Sequence, residues 1–314
     1  MNIKPYNNIL PTKLVLGCEP LGGTDWGKVN KSLVYKSIRR ALDFGINTFD
    51  IADVYGLGKA EMELSKVLGK DRKNAFIITK FGIRWEAPVG RNRAFTYKDS
   101  SAEYMNNALD ASLKRLKVDT IPLYFIHWPD PNCNLENTIE ALERAKEKGK
   151  IVNYGLSNFN IEAIPDHIFK DYSISAYQGC MNIVEAERDL KNFRKAITHN
   201  LTTFGYGPLA QGLLSGNYNQ YSNFDQSDRR FRLPHFQNDN WQKNRSILDL
   251  LKILSKKYNK SISQIAIRWV FDGYKVVDCV IAGAKTPDQV EKFFDSLGFE
   301  LSINDVQMIN LLLN

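Results

Sequence analysis

Four ionisable side chains stand at or just past the ends of short apolar runs. Asp50 and Tyr55 share N-T-F-D-I-A-D-V-Y-G, Lys80 lies in A-F-I-I-T-K-F-G, and His127 lies in L-Y-F-I-H-W-P-D. A phenol has an ordinary pKa of about 10, too high to exchange protons freely near neutrality. A neighbouring ammonium favours the phenolate, so Lys80 is expected to draw the Tyr55 pKa down, with Asp50 keeping Lys80 charged and oriented. His127 would direct a carbonyl oxygen towards Tyr55 by hydrogen bonding. A proton donor positioned in this way contributes roughly 10²–10⁴ in rate. Singly, each residue has an ordinary explanation: an Asp after a strand caps it, a Tyr packs, a Lys is solvated, and a His at a strand end is more often structural. Asp53, in the same stretch, reads as a loop or capping residue. The four become a site only if the fold gathers them.

The elements that would do so are visible as an alternation. Apolar runs of strand length occur at 14–16, 48–51, 75–79, 121–126, 152–156, 174–177, 202–206 and 276–281. Amphipathic segments of helical period separate them at 31–44, 59–68, 102–116, 135–148, 161–169, 190–199 and 241–258; another at 263–271 precedes the last run, and 287–297 and 303–313 follow it. Gly45 and Gly149 fall where a left-handed residue ends a helix. Eight strand-like runs separated by helices predict parallel βαβ units. Such units close into a single-domain (β/α)₈ TIM barrel over residues 1–314, whose active site lies at the C-terminal ends of the strands. Asp50, Tyr55, Lys80 and His127 then share one rim. The long irregular stretch 217–240, with S-D-R-R-F-R-L-P-H-F, reads as a binding loop rather than a linker.

Composition excludes several classes. Hydrophobic residues make up 43% and charged residues 25%, which suits a globular protein with a substantial core. No run approaches the ~18 apolar residues of a membrane span, and M-N-I-K-P-Y-N-N-I-L lacks the pattern of a signal peptide, so a cytoplasmic location is expected. Cys18, Cys133, Cys180 and Cys279 form no C-x-x-C pair, which argues for reduced thiols and against a zinc site; no metal is expected. The net charge of +7 is spread among interleaved acids, as in L-E-R-A-K-E-K-G-K, so neither nucleic acid nor membrane is expected as a partner.

Over almost its whole length the chain resembles the aldo-keto reductase family. N-T-F-D-I-A-D-V-Y-G is similar to that family's N-x-x-D-T-A-x-x-Y-G signature, and I-T-K-F-G and I-H-W-P-D supply its lysine and histidine. The resemblance implies hydride transfer from a nicotinamide cofactor to an aldehyde or ketone, with Tyr55 as general acid and Asp50, Lys80 and His127 beside it. It also implies cofactor contacts. Ser157 and Asn158 (G-L-S-N-F) and Gln178 (A-Y-Q-G-C) would hold the carboxamide, and Tyr206 would stack on the nicotinamide. Leu209, Gln211 and Gly212 would approach the pyrophosphate, under a loop after the seventh strand that covers the cofactor. Gly283, Lys285, Thr286 and Gln289 would meet the adenosine end, where Lys285 and Thr286 favour NADP(H) over NAD(H). Lys292 and Phe293 stand where the family commonly has an acid and an asparagine, so adenine recognition is altered.

Trp26, Trp85 and Trp128 follow strand-like runs and are the candidate walls of a substrate pocket. The polar G-G-T-D-W-G loop would tolerate a hydroxylated small-molecule substrate such as a sugar or nucleotide sugar. The alternative is an NADP(H)-binding regulatory or sensor subunit with little turnover, since fold alone does not make an enzyme. A short-chain dehydrogenase is disfavoured: Tyr55 and Lys59 match Y-x-x-x-K, but no G-x-G-x-x-G phosphate loop is present.

Overall fold

The eight apolar runs pair side by side, and in the computed structural model, which describes residues 2–86, 94–219 and 221–313, they close on themselves. The strands are β1 (Leu14–Gly17), β2 (Thr48–Asp50), β3 (Phe76–Phe81), β4 (Ile121–Ile126), β5 (Ile151–Ser157), β6 (Ala176–Cys180), β7 (Thr202–Tyr206) and β8 (Cys279–Gly283). Each pairs in parallel with the next, and β8 returns to β1 with Gly283 opposite Gly17. This is a (β/α)₈ barrel.

Side chains alternate along each strand. One set, including Val15, Phe76, Ile78, Phe125, Phe204 and Ile281, fills the barrel interior. The other set, including Phe49, Ile77 and Tyr124, packs against the surrounding helices. The same alternation puts Lys80 on the inward face with Phe76 and Ile78, and Thr79 on the outward face. The floor of the barrel is made by the leading segment. Asn7 and Asn8 turn through left-handed φ values of 50° and 64°, Ile3 joins the interior cluster, and backbone N–H groups of Asn2, Lys4 and Thr12 donate to the side chains of Thr202, Asn153 and Thr48.

The helices start and stop for local reasons. In α1 (Lys31–Asp43) Val34, Ile38 and Ala41 form the buried stripe, and the Asn30 side chain accepts from Leu33 N–H. Ser101 caps α3 (Ala102–Leu116), and Asn134 caps α4 (Leu135–Glu147). α2 (Lys59–Leu68) begins at Gly58, whose φ is +85°. The segment expected as one helix at 161–169 is split into a 3-10 turn (Ile161–Ala163) and a short helix, α5 (Asp166–Asp171). Pro165 causes the break: it pushes Ile164 into extended geometry, with ψ 128°. α6 (Ala186–Thr198), α7 (Asn238–Tyr258), α8 (Ile262–Asp272), α9 (Pro287–Asp295) and α10 (Ile303–Leu311) complete the shell.

Two features depart from expectation. Between β3 and α3 an antiparallel hairpin rises over the rim, pairing Ile83–Glu86 with Phe95–Lys98. The stretch at 217–240 is not wholly irregular: it contains 3-10 turns at Arg229–Arg232 and Pro234–Phe236, and α7 begins at Asn238. Among the described residues no helix is long and apolar enough to cross a membrane, and the four cysteines are free thiols.

Candidate active site

Asp50 ends β2 and Lys80 lies near the end of β3, so both point into the barrel mouth. Lys80 is 1% exposed, and its ammonium donates to Asp50 Oδ1 at 2.7 Å and to the Ile51 carbonyl at 2.7 Å. A cation buried this deeply is tolerable only with such partners. Asp50 Oδ2 accepts from Gln178 Nε2 at 2.9 Å. From there the chain of contacts continues around the rim. Ser157 Oγ donates to Gln178 Oε1 at 3.2 Å, Asn158 Nδ2 donates to Ser157 Oγ at 3.1 Å, and Tyr206 O–H donates to Asn158 Oδ1 at 2.7 Å. Asn158 adopts a left-handed φ of 62° and also donates to the His127 carbonyl at 2.9 Å. Six residues on β2, β3, β5, β6, β7 and their ends thus form one connected polar arc.

Tyr55 sits over this arc on the turn that follows β2. The Lys80 ammonium lies 5.5 Å from its ring centre, and the His127 ring meets it edge to face at 5.9 Å. The turn is fastened by backbone hydrogen bonds: Asp53 N–H to the Lys80 carbonyl (3.3 Å), Gly58 N–H to the Asp53 carbonyl (2.7 Å) and Ala60 N–H to the Tyr55 carbonyl (3.1 Å).

The electrostatics differ from expectation at one point. Burial pushes the Tyr55 phenol well above its ordinary pKa, and the carboxylates of Glu19 and Asp50 push it further, with Arg229 opposing. Lys80 is spent on Asp50 and Ile51, so it does not pull the phenol down as the sequence suggested. The phenol is held protonated, which is the form a proton donor needs. Burial, and then the Lys80 charge, keep the His127 imidazole well below its ordinary pKa, hence neutral; its Nδ1 is buried without a partner.

The remaining candidates occupy the same rim. Leu209 accepts from Gly212 and Leu214 N–H, and Ala210, Gln211 and Gly212 run through consecutive left-handed φ values of 45°, 53° and 102°. The Gln211 side chain bonds His235 at 2.7 Å, a buried residue of the covering loop that was not singled out from the sequence. Gly283 faces Gly17 across the β8–β1 pair. Gln289 Oε1 accepts from Lys285 N–H at 2.7 Å, and Thr286 precedes α9 without a side-chain cap bond. Lys285 is not a free cation: its ammonium donates to the Trp26 carbonyl at 3.0 Å and lies 5.4 Å from the Trp26 ring centre.

The three tryptophans lie in different surroundings. Trp26 is clamped, with Arg229 at 5.0 Å from its ring centre on the covering loop and Lys285 nearby. Trp128 follows His127 directly, under the Lys98 ammonium at 5.8 Å. Trp85 stands on the hairpin opposite Thr96.

The covering loop is strapped across the mouth. Trp26 and Asp228 form an antiparallel bridge, Arg229 N–H donates to the Asp25 carbonyl at 2.9 Å, the Arg229 guanidinium donates to Glu19 at 2.6 Å, and Arg232 reaches Asp25 at 3.2 Å. Glu19 and Arg229 were invisible to sequence reasoning. The one available signal was an acid in C-E-P-L-G-G and three arginines in the loop, with nothing to say that they meet.

With the barrel and this rim in view, comparison with known proteins defines the class. The model of the Aldo/keto reductase family matches residues 13–314, and the chain belongs to that family: it is an oxidoreductase of carbonyl chemistry that works with a nicotinamide cofactor. It is similar to "Aldo-keto reductase YhdN" of Bacillus subtilis (strain 168), 32% identical over 306 residues covering 96% of this chain and 90% of that protein. It is also similar to "NADH-specific methylglyoxal reductase" of Escherichia coli (strain K12), 26% identical over 299 residues covering 92% and 90%. Among solved structures, "glycerol dehydrogenase AKR11B4 from Gluconobacter oxydans" superposes with a TM-score of 0.88 at 30% identity, covering 98% of this chain and 93% of that one.

Proposed function

We propose that the protein reduces a small hydroxylated aldehyde or ketone to the alcohol with NADPH, Tyr55 donating the proton. The observation that carries this is the connected arc from Lys80 through Asp50, Gln178, Ser157 and Asn158 to Tyr206. It couples the groups beside Tyr55 to the groups that would bind the cofactor. Ser157, Asn158 and Gln178 offer one hydroxyl and two carboxamides, each able to donate and accept, and this set fits a primary carboxamide such as that of nicotinamide. When bound, the nicotinamide supplies the hydride.

The chain's own residues do the rest. Tyr55 holds its proton until negative charge develops on the carbonyl oxygen, then donates it from Oη. His127, as a neutral imidazole, orients that oxygen by a hydrogen bond. The Arg229 guanidinium favours the tyrosinate left after the transfer, while the Lys80–Asp50 pair fixes the floor beneath the ring. The covering loop excludes water from this exchange.

For the cofactor, Lys285 and Thr286 beside the start of α9 support a 2′-phosphate, since a helix N-terminus favours an anion; Lys285 would have to exchange its bond to Trp26 for one to phosphate. For the substrate, Glu19, Asp25 and Arg229 around Trp26 give the mouth polar partners for hydroxyl groups. The relatives named for methylglyoxal and glycerol point to small substrates rather than nucleotide sugars.

The test is nicotinamide oxidation with a panel of small hydroxyaldehydes and hydroxyketones. Turnover with NADPH is expected, and Lys285→Ala should raise the KM for NADPH by about tenfold, or 1.4 kcal/mol, while leaving that for NADH within about twofold. Tight NADPH binding without oxidation by any carbonyl would favour the sensor alternative, and an equal loss for both cofactors would remove the 2′-phosphate role.

A further inference from the structure

On the outer face of the barrel wall, directly behind Lys80, lies a second buried polar cluster. Thr79, the outward neighbour of Lys80, donates to Glu61 Oε1 at 2.7 Å. Glu61 lies on α2, and its other oxygen accepts from Arg115 of α3 at 2.6 Å. Arg115 also donates to Ser112. Asp53 packs into this cluster from the Tyr55 turn, and both Asp53 and Glu61 are 0% exposed. The Glu61 carboxylate is fully bonded, whereas Asp53 has no cation of its own. Its Oδ2 is 3.5 Å from the Tyr104 hydroxyl, its Oδ1 has no partner, and neither has the buried Tyr124 hydroxyl on β4.

We propose that Asp53 is a positioning residue for Tyr55, its buried carboxyl holding the turn at residues 52–58 against the Glu61–Arg115 ion pair beneath it. Three observations support this. The Asp53 backbone is fixed at both ends of the turn, its N–H donating to the Lys80 carbonyl and its carbonyl accepting from Gly58 N–H, so the carboxyl enters the cluster from a set position. Arg115 packs so closely on Gly58, where the turn ends, that a Cβ there would lie 2.8 Å from Arg115 Cδ. Finally, the Arg115 guanidinium is bonded to Glu61, which leaves Asp53 as a second buried carboxyl beside that pair with no cation bonded to it. Burial, and then the Glu61 charge, push the Asp53 carboxyl well above the usual carboxylate range. The residue therefore works as an acid, and the groups facing it are Glu61 on α2, Tyr104 and Arg115 on α3 and Tyr124 on β4. A neutral amide of the same shape should serve in its place; a methyl group should not.

This inference rests on Tyr55 being the proton donor, and the test separates the two. Turnover and NADPH affinity are measured for Asp53→Asn and Asp53→Ala, each in the wild-type and Tyr55→Phe backgrounds. In the wild type, Asp53→Asn should keep kcat within about threefold, while Asp53→Ala should lower it about tenfold or more with the NADPH Kd within about threefold. In Tyr55→Phe, Asp53→Ala should lower the residual turnover by less than about twofold, because the group it positions is gone. Unchanged turnover in Asp53→Ala, an equal loss in both backgrounds, or a parallel loss of NADPH affinity would overturn the positioning role. Full turnover in Tyr55→Phe would overturn the proton-donor reading and this one with it. Should Asp53→Ala not fold, Asp53→Asn decides by its pH profile. Its alkaline decline should lie at higher pH than that of the wild type, and superimposed profiles would overturn the proposal.

Discussion

Lys80 and Asp53 lie on opposite faces of the same wall, and their burial has opposite consequences. Lys80 has Asp50 and the Ile51 carbonyl bonded to it in place of water. Asp53 has no such partner and keeps its proton. The sign of its effect on stability follows. The unfolded chain releases this proton above pH ~3.9, whereas the folded protein retains it. The Asp53 contribution is therefore fully present below that pH and is lost as pH rises towards the folded pKa, by at most about 1.4 kcal/mol per pH unit for one proton. Asp53→Asn removes the titration. Its melting temperature should gain on that of the wild type between pH 5 and pH 8, and a constant difference would mean that Asp53 is already ionised. In the sequence this residue looked like a cap, because nothing local shows that Glu61 and Arg115 converge behind it.

At the scale of elements, the Tyr55 turn is placed by close backbone contact as much as by side chains. Gly56 has φ +59°, and a Cβ on it would lie 2.6 Å from the Gly22 carbonyl oxygen in the loop after β1. Gly56→Ala should cost about 2 kcal/mol or more of stability from strain and overpacking, read as a lower denaturation midpoint, and should reduce kcat more than NADPH affinity. An unchanged midpoint and turnover would show that the two loops do not meet.

Most strands and helices were legible because a closed barrel buries both faces of each strand, leaving continuous apolar runs. The boundaries failed at strand ends. β6 reads as ending at Tyr177 but continues through Gln178, Gly179 and Cys180, because the end of the strand is polar where it lines the mouth. Val276 and Val277 read as strand, yet they pack before β8 begins at Cys279. The pairing of Ile83–Glu86 with Phe95–Lys98 went unseen since the two strands are short, half-exposed and carry no apolar run.

At the scale of the whole molecule, three loops close one mouth: those after β1, β7 and β8 meet through Glu19, Trp26, Arg229 and Lys285. The rim positions of Asp50, Tyr55, Lys80 and His127 were legible because strand order alone determines them. The contacts between loops were not, since they join residues up to 259 positions apart through pairings that no period encodes. The same closure surrounds the phenol with low-dielectric wall and raises its pKa, reversing the electrostatic expectation drawn from Lys80 alone. Tyr55 is the proposed proton donor, and the most direct measurement is the turnover of Tyr55→Phe with NADPH affinity determined on the same preparation. A fall of about 10²–10⁴ in kcat with the Kd within about threefold is predicted; turnover within about twofold of the wild type would contradict it.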